Sequence, residues 1–392
     1  MEHDSTAAAY DLIYLVSCSA NNMAPDLQRC QTMNCPALFQ MARRHLLTVT
    51  AAFALEQAVP LPSYFIEEKY KAIRRLSLYE AERDGIFAAL DKHAIWHMPL
   101  KGIVLQKDYP QPEMREMSDN DILIDASKAD KIKEIMEAAG YTCLQFQKSN
   151  HDIYKKGKLL EFEMHRALFD DSCQQPIAAF GKALQSRMVQ DDENAFGCHL
   201  REDDFYLYLI CKIYCDYQGA GTGLRALLDV YLYNRSGKNR LNRKYIAGEL
   251  QKLQLDAFEQ NVRLLAEKLF SLQPLSEEEQ MEVRYFIESD CHGTPENLLA
   301  KTLGNDDSLK AKRRYALSRI FPSQESVRAH HPVVSRHKAL YPLLVVYRPF
   351  KGFVKHRRQI KSEIKRLKSF KKKEVNGKYN DYTNGAAKQI KK

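Results

Sequence analysis

Ser118-Asp119-Asn120-Asp121-Ile122-Leu123-Ile124 places two aspartates at the start of an apolar, β-rich run. Because side chains alternate along a strand, residues two apart point to the same face, so the two carboxylates are predicted to lie side by side. Oxygen ligands in that arrangement are what Mg²⁺ requires when it also holds substrate phosphates. An Asp-x-Asp pair alone is weak evidence, since such pairs are common in surface turns, so the surrounding sequence has to carry the argument.

A second strand with carboxylates is predicted at 159–165, as the second arm of a hairpin whose turn is Lys155-Lys156-Gly157-Lys158. Glu163 lies on one face of that strand, between apolar residues that face the other way. If the strand neighbours the first, Glu163 joins Asp119 and Asp121. Three acidic groups so placed can hold two metal ions about 4 Å apart, one activating an attacking oxygen and one stabilising leaving pyrophosphate.

Around these strands the pattern alternates between strands and helices, whereas the flanking regions have helical spacing. The elements predicted are long helices at 37–58 and 64–90, a short helix at 101–108, a strand at 121–124, a helix capped by Ser127, a strand at 141–146 and mostly helices after 167. The sequence therefore predicts an α+β protein. Its predicted regions are a helical region at 1–93, a core at 94–200, a second helical region at 201–340, and a basic helix with a tail at 341–392.

The positive charge of the chain is concentrated near its C-terminus. Residues 341–392 hold 16 Lys and Arg against 3 Asp and Glu, whereas the whole chain has a net charge of +9. The helix predicted between 354 and 370 carries a narrow apolar stripe of Ile360, Ile364 and Leu367. Such a helix can bind nucleic acid or an anionic membrane surface, or can simply be solvated. Residues 371–392 have few apolar side chains and are predicted to be disordered.

No apolar run approaches the roughly 18 residues that a membrane span needs, and the N-terminal stretch has no positively charged segment of a secretory signal. The nine cysteines form no recognisable disulfide or metal-binding pattern. A reducing, cytoplasmic location is expected from these features.

Several blocks in a fixed order resemble the pattern of a bacterial nucleotidyltransferase family within the polymerase-β-like superfamily, a family of largely undefined function. They are Leu100-Lys101-Gly102-Ile103-Val104-Leu105, Tyr109-Pro110, Arg115-Glu116-Met117 leading into Ser118–Ile124, and Glu163-Met164-His165. The resemblance implies a small mixed β-sheet flanked by helices. It also implies transfer of a nucleoside monophosphate from an NTP to an acceptor, with release of pyrophosphate. By this match Asp119, Asp121 and Glu163 are the catalytic metal ligands, and the ion is Mg²⁺ or alternatively Mn²⁺.

One position departs from the superfamily pattern. The helix that grips the triphosphate usually carries Gly-Ser, and this chain has Lys101-Gly102. Gly102 still permits close approach of the backbone to phosphate at a helix N-terminus, and Lys101 adds a positive charge. Both are candidate nucleotide-binding residues. The lost serine also supports a second hypothesis, a catalytically inactive nucleotide-binding module.

Two arginines complete the predicted nucleotide site. Arg115 can steady phosphate oxygens with its planar guanidinium, or can form an ion pair with Asp119 or Glu116. Arg225 belongs to Gly221-Thr222-Gly223-Leu224-Arg225, which with Asp229 resembles a further block of the family. That glycine-rich stretch either closes over the active site, with Arg225 facing the substrate, or only joins two helices. The preferred NTP, the acceptor and the oligomeric state are left open.

Overall fold

The computed structural model describes residues 2–170, 173–236, 241–304, 306–321 and 357–370. The α-helices in these ranges are α1 Glu2–Ala20, α2 Leu27–Thr32, α3 Cys35–His45, α4 Thr48–Leu55, α5 Ser63–Lys92, α6 Lys101–Leu105, α7 Ala129–Ala138, α8 Gln175–Gln185, α9 Glu202–Gln218, α10 Leu224–Arg235, α11 Arg243–Lys252, α12 Asp256–Phe270, α13 Glu277–Glu288, α14 Pro295–Leu303, α15 Leu309–Ile320 and α16 Arg357–Ser369. The strands are β1 His97–Pro99, β2 Asn120–Ile124, β3 Thr142–Gln145, β4 His151–Lys156, β5 Leu160–His165, β6 Val189–Asp191 and β7 Asn194–His199.

The seven strands form one sheet in the order β3-β4-β5-β2-β1-β7-β6. Strand β2 runs parallel to β5, and β1 runs parallel to β7, whereas the other neighbours are antiparallel. The sheet is therefore mixed and lies among helices, which confirms the α+β prediction.

The centre of the sheet is held by apolar side chains on its strands. Ile122 and Ile124 of β2 and Phe162 of β5 are fully buried, in one cluster with Tyr79 of α5 and Met136 of α7. The predicted β4–β5 hairpin is confirmed, and Gly157 takes a positive φ of 63° in its turn, which glycine adopts at little cost. This packing fixes where the polar residues of β2 and β5 point.

Three local predictions were wrong. The helix predicted at 37–58 is two helices, because Leu46 takes a left-handed conformation between α3 and α4, and apolar residues on both sides of this break are buried. Asp125, not Ser127, caps the short 3₁₀ helix Ala126–Lys128 that precedes α7. The hairpin of β6 and β7 lies in a region predicted to be mostly helical. It completes the sheet through the pairing of β7 with β1.

The described residues fall into two compact units, one within 1–217 and 222–292 and the other within 218–221 and 293–392. In the second unit, Leu367 of the predicted basic helix, α16, packs against a small cluster of Leu299, Leu303 and Ala311. Ile364 is 47% exposed. The domain boundaries inferred from the sequence stay a prediction, and the predicted disorder of 371–392 lies outside the described residues.

No described helix is both long enough and apolar enough to cross a membrane.

Candidate active site

Strands β2 and β5 bring the predicted carboxylates together. In their parallel pairing Asp121 lies in register with Glu163, and Leu123 lies in register with His165. Side chains in register on neighbouring strands point to the same face of the sheet, and Asp119 precedes Asp121 by two residues. The two strands are neighbours, which is the condition that the sequence analysis left open, and their pairing places Glu163 on the side of the sheet that Asp121 faces.

Asp121 is the centre of the hydrogen bonds at this site. Its Oδ1 accepts a bond from Lys101 Nζ at 2.7 Å and one from His165 Nε2 at 2.6 Å. The same His165 nitrogen lies 3.4 Å from Glu163 Oε2, and His151 Nε2 lies 3.7 Å from Glu163 Oε1. Because the side chains of Asp121 and His165 are only 6% and 5% exposed, these contacts form in a largely dry environment.

The carboxylates respond differently to this environment. Burial raises the pKa of Asp119 to about 6, reinforced by the negative charge of Asp121 and then of Glu163. Burial also acts to raise the pKa of Asp121, but the positive charge of Lys101 and the hydrogen bond from His165 hold it well below its usual range. Burial acts to raise the pKa of Glu163, but the hydrogen bond from His165, together with the electrostatic effects of His151 and His165, lowers it overall. The site therefore favours the ionised form of Asp121 and disfavours the ionised form of Asp119.

Lys101 is held in an uncommon backbone conformation. It starts α6 with a φ of 40°, in the left-handed region, which costs a non-glycine residue of order 1 kcal/mol. Its neighbour Leu100 donates a backbone hydrogen bond to the Asp121 carbonyl at 2.9 Å, and its Nζ binds the Asp121 carboxylate. Burial works against its charge, yet the proximity of Asp121 raises the pKa of Lys101. The strained backbone of Lys101 therefore lies within the predicted site.

Gly102 lies close against the side chains of Arg115 and Met117. A Cβ at this position would lie 2.5 Å from both Arg115 Nη1 and Met117 Sδ, closer than real side-chain contacts allow. The glycine therefore has a structural explanation in the folded chain. Its role in nucleotide binding, like that of Lys101, stays a prediction.

Arg115 forms an ion pair, but with a different partner from those considered in the sequence. Its Nε and Nη2 each donate to one oxygen of Asp229, both at 2.9 Å, and the hydroxyl of Tyr109 donates to Asp229 Oδ1 at 2.7 Å. The expectation of a pair with Asp119 or Glu116 was wrong because Asp229 of α10 reaches the guanidinium from a distant part of the chain. A nucleotide-binding role for Arg115 stays a prediction.

Arg225, on the first turn of α10, lies near the carboxylates. Its Nη1 donates to the backbone carbonyl of Glu116 at 2.6 Å, and its positive charge acts to lower the pKa of Asp119. Whether it contacts a nucleotide stays a prediction.

The sequence analysis missed two residues at the site. His151 stands opposite His165 in the β4–β5 hairpin, so the register of the predicted hairpin was the signal that could have found it. Tyr208 of α9 is 1% exposed, and the charges of Lys101 and Asp121 both act on its pKa, which burial raises. No local pattern in the sequence indicates that this tyrosine approaches the site.

A family model described as an uncharacterised nucleotidyltransferase matches residues 31–271. The chain belongs to this family. No curated protein and no solved structure matches it. Membership supports nucleotidyl transfer as the general function and a nucleotide as substrate, and nucleotidyltransferases generally use a divalent metal.

The site fits such an ion. Asp119, Asp121 and Glu163 carry the carboxylate oxygens that divalent cations bind, and burial followed by the negative charges of Asp121 and Glu163 raises the pKa of Asp119. A cation near them would relieve that repulsion. Lys101 already compensates part of the charge, through one oxygen of Asp121. In this nucleotidyltransferase one candidate metal ligand, Asp121, is therefore in direct contact with the candidate phosphate-binding Lys101.

Proposed function

We propose that this protein transfers a nucleoside monophosphate from an NTP to an acceptor and releases pyrophosphate, with Mg²⁺ held by Asp119, Asp121 and Glu163. One observation carries the proposal: Asp121 and Glu163 are in register on adjacent parallel strands, with Asp119 two residues before Asp121. Bound Mg²⁺ supplies activation of the attacking oxygen and stabilisation of the charge on the transferring phosphate.

The other residues of the site prepare the carboxylates. His165 donates to Asp121 and holds its carboxylate in place, and the charge of Lys101 together with this hydrogen bond keeps that carboxylate ionised by lowering its pKa. Lys101 keeps its proton, because Asp121 raises its pKa. A triphosphate oxygen would compete with Asp121 for the ammonium of Lys101, which would leave that carboxylate oxygen available to the metal.

The acceptor is found by labelling. The full chain is incubated with each radiolabelled NTP in turn, with Mg²⁺ and a cell extract, and the labelled species is isolated. We expect label from one or more NTPs to appear on an acceptor with stoichiometric pyrophosphate. If none of the four NTPs gives a labelled acceptor or pyrophosphate, the proposed reaction is wrong.

One contact favours a different function, that of an inactive nucleotide-binding module. Lys101-Gly102 replaces the usual Gly-Ser, and the 2.7 Å bond from Lys101 occupies an oxygen of Asp121 that a metal needs. The two functions are separated by calorimetry with Mg²⁺ and NTP together with a pyrophosphate assay. Nucleotide binding without pyrophosphate release in the presence of extract would identify the module.

The basic helix α16 supports a further binding function for a polyanion, either nucleic acid or an anionic membrane. Lys361, Lys365 and Lys368 are exposed on this helix, while Leu367 packs inward. Replacing these three lysines with glutamate should weaken binding to DNA, RNA or anionic vesicles and reduce its dependence on salt. If wild type binds none of these polyanions at low salt, this function is excluded.

A further inference from the structure

A group of metal-ligating side chains lies beside the carboxylate pair and includes two histidines that are not among the proposed Mg²⁺ ligands. His151, Glu163 and His165 each offer a ligand atom, and these atoms lie within 4.8 Å of one another. Two imidazoles and a carboxylate are a donor set that suits divalent transition metals, whereas Mg²⁺ prefers oxygen ligands alone.

The distances in this group suit a shared ion. Bonds of about 2.1 Å at tetrahedral angles separate neighbouring donor atoms by about 3.4 Å. The His165 nitrogen lies 3.4 Å from one Glu163 oxygen, and the His151 nitrogen lies 3.7 Å from the other. These two separations are therefore within a few tenths of an ångström of the tetrahedral value, and all three ligand atoms lie within 4.8 Å of one another.

The orientation of His151 is fixed by a residue outside the group. Its Nδ1 lies 3.0 Å from Asn150 Oδ1, and Asn150 Nδ2 donates to the Ala167 carbonyl at 3.4 Å, which identifies the oxygen end of the amide. An amide oxygen only accepts hydrogen bonds, so Nδ1 carries a proton, and in the neutral ring the lone pair of Nε2 is directed towards Glu163. Metal-binding histidines are oriented by outer hydrogen bonds of this kind.

His165 has a nitrogen available for the proton that metal binding displaces. Its Nε2 donates to Asp121, whereas its Nδ1 is buried and has no hydrogen-bond partner among the described residues. Binding of a metal at Nε2 would require the tautomer that carries its proton on Nδ1. Asp121 then loses one hydrogen bond but keeps that of Lys101.

We propose that His151, Glu163 and His165 form a site for a divalent transition metal such as Zn²⁺, Mn²⁺ or Co²⁺, with preference over Mg²⁺. The site shares only Glu163 with the proposed Mg²⁺ ligands. It does not rest on the proposed nucleotidyl transfer, because metal binding is measured without nucleotide.

The test uses the full chain, freed of metal with a chelator and titrated with Co²⁺. Nitrogen and oxygen ligands in a site of low coordination number give Co²⁺ a visible absorption band that the hydrated ion shows only weakly. We expect one band-forming ion per chain, its displacement by Zn²⁺, and its persistence in a large excess of Mg²⁺. No band in wild type, or its removal by Mg²⁺, would overturn the proposal.

Variants locate the ion. His151→Ala and His165→Ala should abolish the band, and Asn150→Ala should weaken Co²⁺ affinity about tenfold. Because His165 is buried, His165→Asn is made as well, and folding is checked by circular dichroism. The matched control is His199→Ala, since His199 also lies on a strand and contacts a carboxylate, Asp191, at 2.6 Å. An unchanged band in a folded His151→Ala would reject the site.

One more variant separates this proposal from the proposed function. Asp119→Asn removes an expected Mg²⁺ ligand but none of the three donors of the transition-metal site. It should retain the Co²⁺ band while losing Mg²⁺-dependent NTP binding. Failure of NTP binding in wild type counts against the transfer function alone, and loss of the band in Asp119→Asn counts against the separate site.

Discussion

Two buried clusters of charged side chains in the first unit differ in how well their charges balance. Around Asp229, a single carboxylate receives two bonds from one guanidinium, that of Arg115, and one from the hydroxyl of Tyr109. Around Asp121, three carboxylates lie close together with Lys101 and Arg225 nearby. We refer to these as the Asp229 cluster and the Asp121 cluster.

The balance of charge indicates which cluster stabilises the fold and which is the candidate for binding a ligand. In the Asp229 cluster each charge has a partner, and the Arg115–Asp229 pair joins α10 to the loop before β2. In the Asp121 cluster the pKa of Asp119 is raised to about 6 by burial and by its acidic neighbours. A bound cation or cationic complex would stabilise the ionised form of Asp119 against these effects. An incompletely balanced cluster is therefore the better candidate for binding.

The largest expected effect is on activity and comes from Asp121→Asn. Transfer should fall by several orders of magnitude, because the metal loses an anionic ligand and each ~1.4 kcal/mol of lost stabilisation is tenfold in rate. Pyrophosphate release at saturating Mg²⁺ and NTP is the measurement. Repulsion between the two aspartates alone predicts no loss of stability, but Lys101 and His165 both bind Asp121, so we expect some loss in the metal-free protein. Equal turnover in the variant would remove Asp121 from the catalytic role.

The second effect is on stability and concerns the Asp229 cluster. Asp229→Asn leaves the buried guanidinium of Arg115 without its charge partner and should cost about 3–5 kcal/mol in the free energy of unfolding. Urea denaturation measures it. The control is Asp11→Asn, which breaks an Arg–Asp pair at 3.3 Å whose side chains are 42% and 22% exposed, and should cost at most about 1 kcal/mol. Similar losses in both variants would contradict the distinction drawn here.

A buried group outside both clusters tests the pH dependence. Burial lowers the pKa of His45 to about 3, and its Nδ1 accepts a bond from the Leu224 backbone at 3.3 Å. His45 takes up a proton near pH 6.5 in the unfolded chain but only near pH 3 in the folded chain. The contribution of His45 to the free energy of unfolding is therefore fully present above pH 6.5 and is lost as the pH falls towards 3.

His45 should therefore reduce the free energy of unfolding by about 2 kcal/mol at pH 5 relative to pH 8. Denaturation of wild type and His45→Asn at both pH values measures this contribution as the difference between their pH dependences. If the free energy of unfolding depends on pH in the same way in both proteins, the proposed titration of His45 is wrong.

The smallest expected effect is on the melting temperature and tests the charge imbalance of the Asp121 cluster. Asp119→Asn removes a negative charge from the Asp121 cluster, so the metal-free protein should melt a few degrees higher, equivalent to about 1 kcal/mol. Thermal melts with and without Mg²⁺ are the measurement, since Mg²⁺ should stabilise wild type more than the variant. A lower melting temperature in the metal-free variant would mean that Asp119 stabilises the fold through its charge.

Local spacing predicted the parts of the site that depend on neighbouring residues. Asp119 and Asp121 are two apart before an apolar strand, and the hairpin that carries Glu163 is marked by its turn. These features depend on the two-residue repeat of a strand and on glycine in a turn, which a sequence shows directly. The α+β class followed from the same periodicities.

Only the tertiary structure decided which distant groups meet. Arg115 pairs with Asp229 rather than with a near neighbour, Lys101 reaches Asp121 from the start of α6, and β7 joins the sheet beside β1. Apolar periodicity also concealed the break at Leu46, because residues on both sides of it are buried. The sequence determined which chemical groups this protein carries and which face of its strand they share. Packing between segments far apart in the chain determined their partners, since the energy of those contacts depends on positions that local spacing does not specify.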